Sequence, residues 1–436
     1  MKFRFYLSLI VAKFFYSILK LTKLSSGTAI LGLISLKICP SFLNYVNDYI
    51  TKSQINITGT NGKTTTSGLL SHLIRCEKKS LITNEFGANM LNGIVNAFAL
   101  QINPFKKVDY SVIETDEAFL VKIYQRMKGN YLLITNLFED QTDRFANPMI
   151  TKSLISGAID YNPEVQLILN ADEPISADLN NLKNPIYYSV NSVKDEKGNL
   201  LETAAPIFAC PKCGKPLHYD KCYYAQVGHY NCECGYKNSD AKYNADVILY
   251  KNYSVIKLAE EEYEIPLVGL FNAYNTLGAI ALAKELGLDN IKENLKTFKV
   301  AFGRSEKRML NEHETIIQLI KNPAGTNEVL KTVDLDSNIL IAINNNVADG
   351  TDISWIYQAD FDRLVNANKE IVVTGLCAED MKSRLISAGV KNVTVISDID
   401  SAIKHVGNVA QNDITILTTY TALLKIDKNK ELKKCF

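Results

Sequence analysis

The stretch Gly59-Thr60-Asn61-Gly62-Lys63-Thr64-Thr65 lies between a β-branched apolar run, 55–58, and a segment with helical apolar spacing at Leu69, Leu70 and Leu73. A glycine-rich turn that closes a strand and opens a helix turns its backbone N–H groups and the helix N-terminus into one pocket, which suits phosphate. In that setting Lys63 reaches the outer phosphates and the Thr64 hydroxyl is available to magnesium. The same order of strand, loop and helix requires a parallel sheet with helices packed on its faces.

The rest of the chain fits that constraint. Strand-like runs at 81–83, 110–114, 132–136 and 167–170 alternate with helical stretches, the pattern of a doubly wound α/β domain with a mainly parallel sheet. Between 206 and 240 the alternation gives way to Cys, Gly, Lys and Tyr. Strand-like runs resume at 246–249 and 254–258, and a helix over 275–286 ends at Gly287. After Arg304 the alternation restarts, with strands expected near 316–319, 339–343, 371–374, 393–396 and 414–418. The expected organisation is an N-terminal segment (1–45), a central nucleotide-binding domain (46–305) with an insert at 206–240, and a smaller C-terminal α/β domain (306–436). A chain of 436 residues is long enough for each domain to bury its own core.

Four of the nine cysteines crowd into the insert, in Cys210-Pro211-Lys212-Cys213-Gly214 and Cys232-Glu233-Cys234-Gly235. Two chelating pairs, each followed by a turn glycine, suit a tetrahedral structural zinc, with His229 a substitute for one thiolate in principle. Clustered thiols beside a nucleotide loop place the chain in a reducing compartment, the cytoplasm. Tyr219, Tyr223, Tyr224, Tyr230 and Tyr236 near the cysteines could stack on bases. With 48 Lys plus Arg against 47 Asp plus Glu, however, no field favours nucleic acid, and none is expected as a partner.

The N-terminus carries Lys2, Arg4, Lys13, Lys20 and Lys23 among large apolar residues, and Lys13 interrupts a run that falls short of the roughly 20 residues of a spanning helix. Two readings stand: a basic amphipathic helix packed on its own domain, or one touching anionic lipid at the inner face of the membrane.

Ile57 occupies a position where general phosphate loops carry glycine. The stretch 58–64 instead resembles the T-G-T-N-G-K-T signature of Mur ligases and folylpolyglutamate synthetases, which form amide bonds through an acyl phosphate. Further segments match in order. Glu114 aligns with a magnesium-ligating glutamate, and 135–143 resembles T-N-x-x-x-D-H-x-D with Gln141 in place of the histidine of a second magnesium site. Residues 169–174 match the N-A-D-D-P turn. The segment 271–275 matches the one whose asparagine, here Asn272, faces adenine, and Gly303-Arg304 matches the phosphate-binding G-R. The family's carbamylated lysine has no counterpart: Ser156 or Gly157 falls there, and Lys152 is one turn early.

The cysteine insert and Asp349-Gly350-Thr351-Asp352-Ile353-Ser354-Trp355 narrow the resemblance to the MurT family. From the residues alone, Asp349-Gly350 is simply turn chemistry. The loop Lys321-Asn322-Pro323-Ala324-Gly325 also resembles a nucleotide-facing loop of that family. The resemblance implies ATP, magnesium and zinc as cofactors, with Gly59, Thr60, Asn61, Gly62, Lys63, Thr64, Thr65, Asn272 and Arg304 on the nucleotide. It implies Thr64 and Glu114 on magnesium, Cys210, Cys213, Cys232 and Cys234 on zinc, and Asp349, Glu114 and Lys63 in catalysis. The implied reaction amidates the α-carboxylate of D-isoglutamate in lipid II, with ammonia from a GatD-like glutaminase partner. The alternative, a ligase that adds an amino acid, shares the nucleotide motifs, but Gln141, the missing lysine and the cysteine insert count against it.

Overall fold

A computed structural model describes residues 2–22, 30–84, 88–139, 147–299 and 303–434, without the side chains of Thr22, Arg304 and Ser305. Strands β1 (Ile50–Thr58), β2 (Leu81–Thr83), β3 (Val108–Glu114), β4 (Tyr131–Ile134), β5 (Gln166–Asn170) and β6 (Ile186–Asp195) precede a separate hairpin, β7 (His218–Tyr224) with β8 (Val227–Asn231). Strands β9 (Tyr243–Leu249), β10 (Ser254–Leu258) and β11 (Glu261–Ile265) then complete a nine-stranded sheet in the order β11-β10-β9-β6-β5-β4-β1-β3-β2. All neighbours from β9 to β2 are parallel, and β10 and β11 add an antiparallel edge.

Both faces of this sheet are covered, so its central strands read as continuous apolar runs. Alternate residues of β4 feed opposite cores: Leu133 packs with Leu70 of the Lys63–Cys76 helix and with the Leu270–Glu285 helix. Leu132 and Ile134 pack with the Leu91–Gln101 and Pro148–Tyr161 helices. The N-terminal Lys2–Thr22 helix docks on the second face through Phe5, Leu9 and Ala12.

A second sheet holds β12 (Arg304–Leu310), β13 (His313–Leu319), β14 (Asn338–Ala342), β15 (Ile371–Thr374), β16 (Val393–Val395), β17 (Ile414–Thr418) and β18 (Leu432–Lys434), in the order β16-β15-β14-β17-β13-β12-β18. Five strands, β16 to β13, are parallel, and β12 and β18 form an antiparallel edge. The mixed α/β architecture agrees with the sequence reading.

Several elements differ from expectation. The helix expected over 275–286 starts at Leu270, because its first turns bury Asn272, Asn275 and Thr276 and so hide the apolar period. Strands β6, β7, β8, β11, β12 and β18 were not anticipated from the runs above. Edge strands such as β11 (Glu-Glu-Tyr-Glu-Ile) carry charge on their exposed face, which weakens the apolar signal while protecting the edge.

Candidate active site and metal cluster

The phosphate loop sits where β1 ends. Gly59 (φ +125°) and Gly62 (φ +88°) adopt left-handed geometry, and a Cβ on Gly62 would lie 2.0 Å from the Asn275 side chain. Only glycine lets the loop pass that close and still start the Lys63–Cys76 helix at the next residue. Lys63 Nζ donates to the Gly59 carbonyl at 2.5 Å and pairs with Glu117 Oε1 at 3.1 Å. Glu117 Oε1 also accepts from the Gly59 N–H at 3.0 Å. Burial pushes the Glu117 carboxyl up, and the Lys63 ammonium opposes that shift.

β3 is the register neighbour of β1, which brings its last residue, Glu114, beside the first turn of that helix. Thr64 Oγ1 donates to Glu114 Oε2 at 2.8 Å, and Asn89 Nδ2 donates to Oε1 at 3.0 Å. Thr64 and Glu114 thus form a compact pair of hard oxygen donors, the chemistry magnesium prefers. Asn84 fixes the strand end by exchanging hydrogen bonds with the Glu114 backbone at 2.8 and 2.7 Å.

The segment 135–138 braces the loop from the other side. Asn136 Oδ1 accepts from the Asn61 N–H at 2.9 Å, Thr135 Oγ1 donates to the Asn61 carbonyl at 2.6 Å, and Thr60 Oγ1 exchanges hydrogen bonds with the Phe138 backbone. Gln141, with Asp140, Thr142 and Asp143, lies outside the described residues.

The two sheets meet over this loop. Asn61 and Asn322 exchange side-chain amide hydrogen bonds at 3.2 and 3.1 Å. Asn322 Oδ1 also caps the Pro323–Lys331 helix by accepting from the Gly325 N–H at 2.9 Å. Between them opens a cleft, with Gly62, Asn136, Phe271, Asn272, Gly325 and Glu328 in its walls. Asn272 Nδ2 donates to the Val268 carbonyl at 2.8 Å. Arg304 begins β12 next to Gly303, which also lines the cleft; its side chain lies outside the described atoms.

Asp349 follows β14. Because β13, β17 and β14 are parallel neighbours, its loop shares the carboxyl edge of the second sheet with Asn322. The carboxylate is 6% exposed and heavily engaged: Oδ1 accepts from the Thr421 N–H at 2.7 Å, and Oδ2 accepts from Thr421 Oγ1 at 2.5 Å and the Asn346 N–H at 3.2 Å. Asp352 makes a local turn by accepting from the Ser354 N–H at 2.8 Å, and Trp355 is buried.

In the insert, Cys210 Sγ lies 3.7 Å from Cys234 Sγ, and Cys213 Sγ 3.5 Å from Cys232 Sγ. All four sulfurs fall within 4.8 Å of one another. These spacings exceed a disulfide bond of about 2.05 Å. They match the edges, about 3.8 Å, of a tetrahedron with metal–sulfur bonds of about 2.3 Å. The residues therefore fit a four-thiolate metal site. Gly214 (φ +76°) and Gly235 (φ +86°) supply the tight turns. His229 is no ligand: its Nε2 hydrogen-bonds the Val190 carbonyl at 2.8 Å.

The hairpin between the cysteine pairs reaches the nucleotide loop's brace, a connection the sequence reading missed. Gln226 Nε2 donates to the Leu137 carbonyl at 3.0 Å and to buried Glu173, whose Oε2 accepts from the Leu137 N–H at 3.2 Å. Tyr224 lines the cleft and packs edge-to-face on Phe138. Tyr223, Tyr230 and Tyr236 are also buried, so their rings cannot serve as an open stacking platform. Asn89, Glu117 and Gln226 belong to no contiguous motif and had no sequence signal. In the place of the missing lysine, Ser156 is exposed and Gly157 faces open space, while Lys152 forms an ion pair with Asp178.

Known proteins agree with this arrangement. The Mur ligase middle domain model matches residues 57–210, and the MurT ligase C-terminal model matches 319–423. The MurT subunit of lipid II isoglutaminyl synthase (glutamine-hydrolyzing) from Staphylococcus aureus is 36% identical over 383 residues, covering 86% of each chain. The Streptococcus pneumoniae subunit of the same name is 32% identical, covering 93% of this chain and 92% of its own. Among solved structures, a pseudomurein peptide ligase type C from Methanothermus fervidus shares the fold at TM-score 0.69 and 23% identity, covering 87% of this chain and 78% of its own. MurF from Thermotoga maritima, solved in complex with ADP, does so at TM-score 0.63 and 12% identity, covering 91% and 83%. With its Mur-ligase central sheet, cysteine cluster and matching C-terminal sheet, this chain belongs to the MurT family of Mur-ligase-like proteins.

Proposed function

We propose that this chain is the ATP-dependent synthetase half of a lipid II amidating enzyme, converting the α-carboxylate of D-isoglutamate in the stem peptide to the carboxamide of D-isoglutamine. The observation that carries the proposal is the cleft in which the phosphate loop of one sheet meets the Asn322–Gly325 turn of the other through the Asn61–Asn322 pair.

In this reading the loop amides and Lys63 hold the outer phosphates of ATP, Asn272 lies toward adenine, and Arg304 steadies the transferring phosphoryl group. Thr64 and Glu114 hold magnesium, which when bound offsets phosphate charge. A substrate carboxylate oxygen attacks the γ-phosphorus and ADP leaves. Ammonia then attacks the acyl carbon, phosphate departs, and the nitrogen loses a proton. The four thiolates would hold zinc, and four protein ligands would give it a structural role.

Ammonia comes from a GatD-like glutaminase subunit. The relatives' names describe them as subunits of a glutamine-hydrolyzing synthase. Cys377 is buried, and burial pushes its thiol up, the opposite of an activated nucleophile. Cys435 lies outside the described residues. The clustered thiols and the nucleotide loop support a cytoplasmic chain, and a lipid-linked substrate supports its association with the inner face of the membrane.

The test is mass spectrometry of lipid II incubated with the purified chain, ATP, magnesium and concentrated ammonium, with no partner present. One glutamate carboxyl becomes a carboxamide. No conversion with ammonium or with an added glutaminase subunit removes the assignment, and an amino-acid adduct formed without ammonium assigns the chain to the ligases that add amino acids.

A further inference from the structure

The Lys2–Thr22 helix has two apolar faces, and only one of them is used by the fold. Phe5, Leu9 and Ala12 face the domain; Phe5 packs against the rings of Phe42, Tyr45 and Tyr49. Phe3 (76% exposed), Ile10 (64%), Phe14 (63%) and Leu21 (84%), together with Leu7, recur at spacings of three, four and seven. At 100° per residue these positions form a stripe opposite the buried one. A contiguous exposed patch of large apolar side chains marks a binding surface.

Charge identifies the partner. The helix Lys-Phe-Arg-Phe-Tyr-Leu-Ser-Leu-Ile-Val-Ala-Lys-Phe-Phe-Tyr-Ser-Ile-Leu-Lys-Leu-Thr carries basic residues and no Asp or Glu, on a chain whose net charge is only +1. Lys13 Nζ donates to the Ile102 carbonyl at 2.6 Å, tying the flank of the helix to a second tip, 103–107. There Phe105 is 98% exposed, next to exposed Lys106 and Lys107. Aromatic and aliphatic side chains amid lysines suit a surface that is apolar just below an anionic layer. A second copy of the helix would instead set basic residues against basic residues.

We infer that the outer stripe of the Lys2–Thr22 helix lies in the interface of an anionic bilayer and, with the Phe105 tip at the amino edge of the first sheet, docks the chain on the membrane surface. Among the described residues no single helix is long and apolar enough to cross a membrane, so the helix lies along the surface rather than spanning it. The immersion expected for such a helix is about 5–10 Å. The inference rests on the proposed lipid-linked substrate only for its purpose, since the surface itself is independent of the reaction.

The experiment is flotation of the full-length protein with vesicles of phosphatidylglycerol and phosphatidylcholine that contain no lipid II, so its outcome is separate from that of the amidation assay. The wild type floats with the anionic vesicles, less so at high salt. The double variant Ile10→Glu/Phe14→Glu, whose side chains are exposed and whose fold is checked by thermal melting, binds at least about tenfold more weakly. Arg4→Glu/Lys20→Glu loses the preference for anionic lipid. Equal flotation of wild type and Ile10→Glu/Phe14→Glu overturns the inference. So does failure of the wild type to float, and dimerisation abolished by the same variant would then assign the stripe to a second copy.

Discussion

The phosphate loop and the Asp349 loop occupy equivalent places, each at the carboxyl edge of a mainly parallel sheet, yet they are built in opposite ways. In the first, two left-handed glycines hold the backbone open at a helix N-terminus, and side chains from three segments brace it from outside. In the second, a buried carboxylate is closed in by Thr421 and Asn346. The open loop is suited to receive a ligand's charge. The closed one sets the shape of a surface. We propose that Asp349 is a positioning residue, acting in amidation through the loop it holds.

Four changes separate the two loops experimentally. Disrupting the four-thiolate cluster, by chelation or by Cys210→Ser, withdraws the proposed metal site, a kind worth on the order of 10 kcal/mol in isolated modules. It lowers thermal stability and metal content together, and it weakens nucleotide binding because the hairpin carrying Tyr224 and Gln226 loosens. Unchanged metal content in Cys210→Ser, measured by atomic emission, would discredit the four-thiolate site.

Lys63→Ala lowers turnover by about a thousandfold or more, as expected when a charged donor to a transferring phosphoryl group is lost. It also lowers the melting temperature, since Glu117 is left buried without its cation. Adding Glu117→Gln recovers stability but not turnover; recovery of both would make the pair purely structural. Asp349→Asn, by contrast, leaves an amide N–H₂ facing donors. Amidation drops by about a hundredfold, on the scale of a misplaced reacting group, while ATP affinity stays within about twofold. A parallel loss of ATP binding, read by calorimetry, would erase the distinction between the loops. Asn322→Ala removes the cap and the Asn61 pair, costing about 1 kcal/mol and raising the KM for ATP about fivefold.

What the sequence made legible follows the same division. The phosphate loop is one contiguous motif with a stated mechanism, and strands such as Ile371–Thr374 and Ile414–Thr418 are short apolar runs whose bounds could be read directly. The paired cysteines announced themselves by spacing alone. Glu117, Asn89 and Gln226 did not, because they converge on the loop from separate segments with no shared period. Asp349 meets Thr421 across 72 residues of chain, so its carboxylate looked like turn chemistry until the fold brought the two together.

The proposed reaction turns on activation of the substrate carboxylate by phosphoryl transfer in the cleft between the sheets. It is tested most directly with lipid II carrying heavy oxygen in the glutamate α-carboxylate, ATP, magnesium and ammonium. One labelled oxygen appears in inorganic phosphate for each amide formed, and the label and the amide are both lost in Lys63→Ala. Amide formation with no label in phosphate rules out the acyl phosphate.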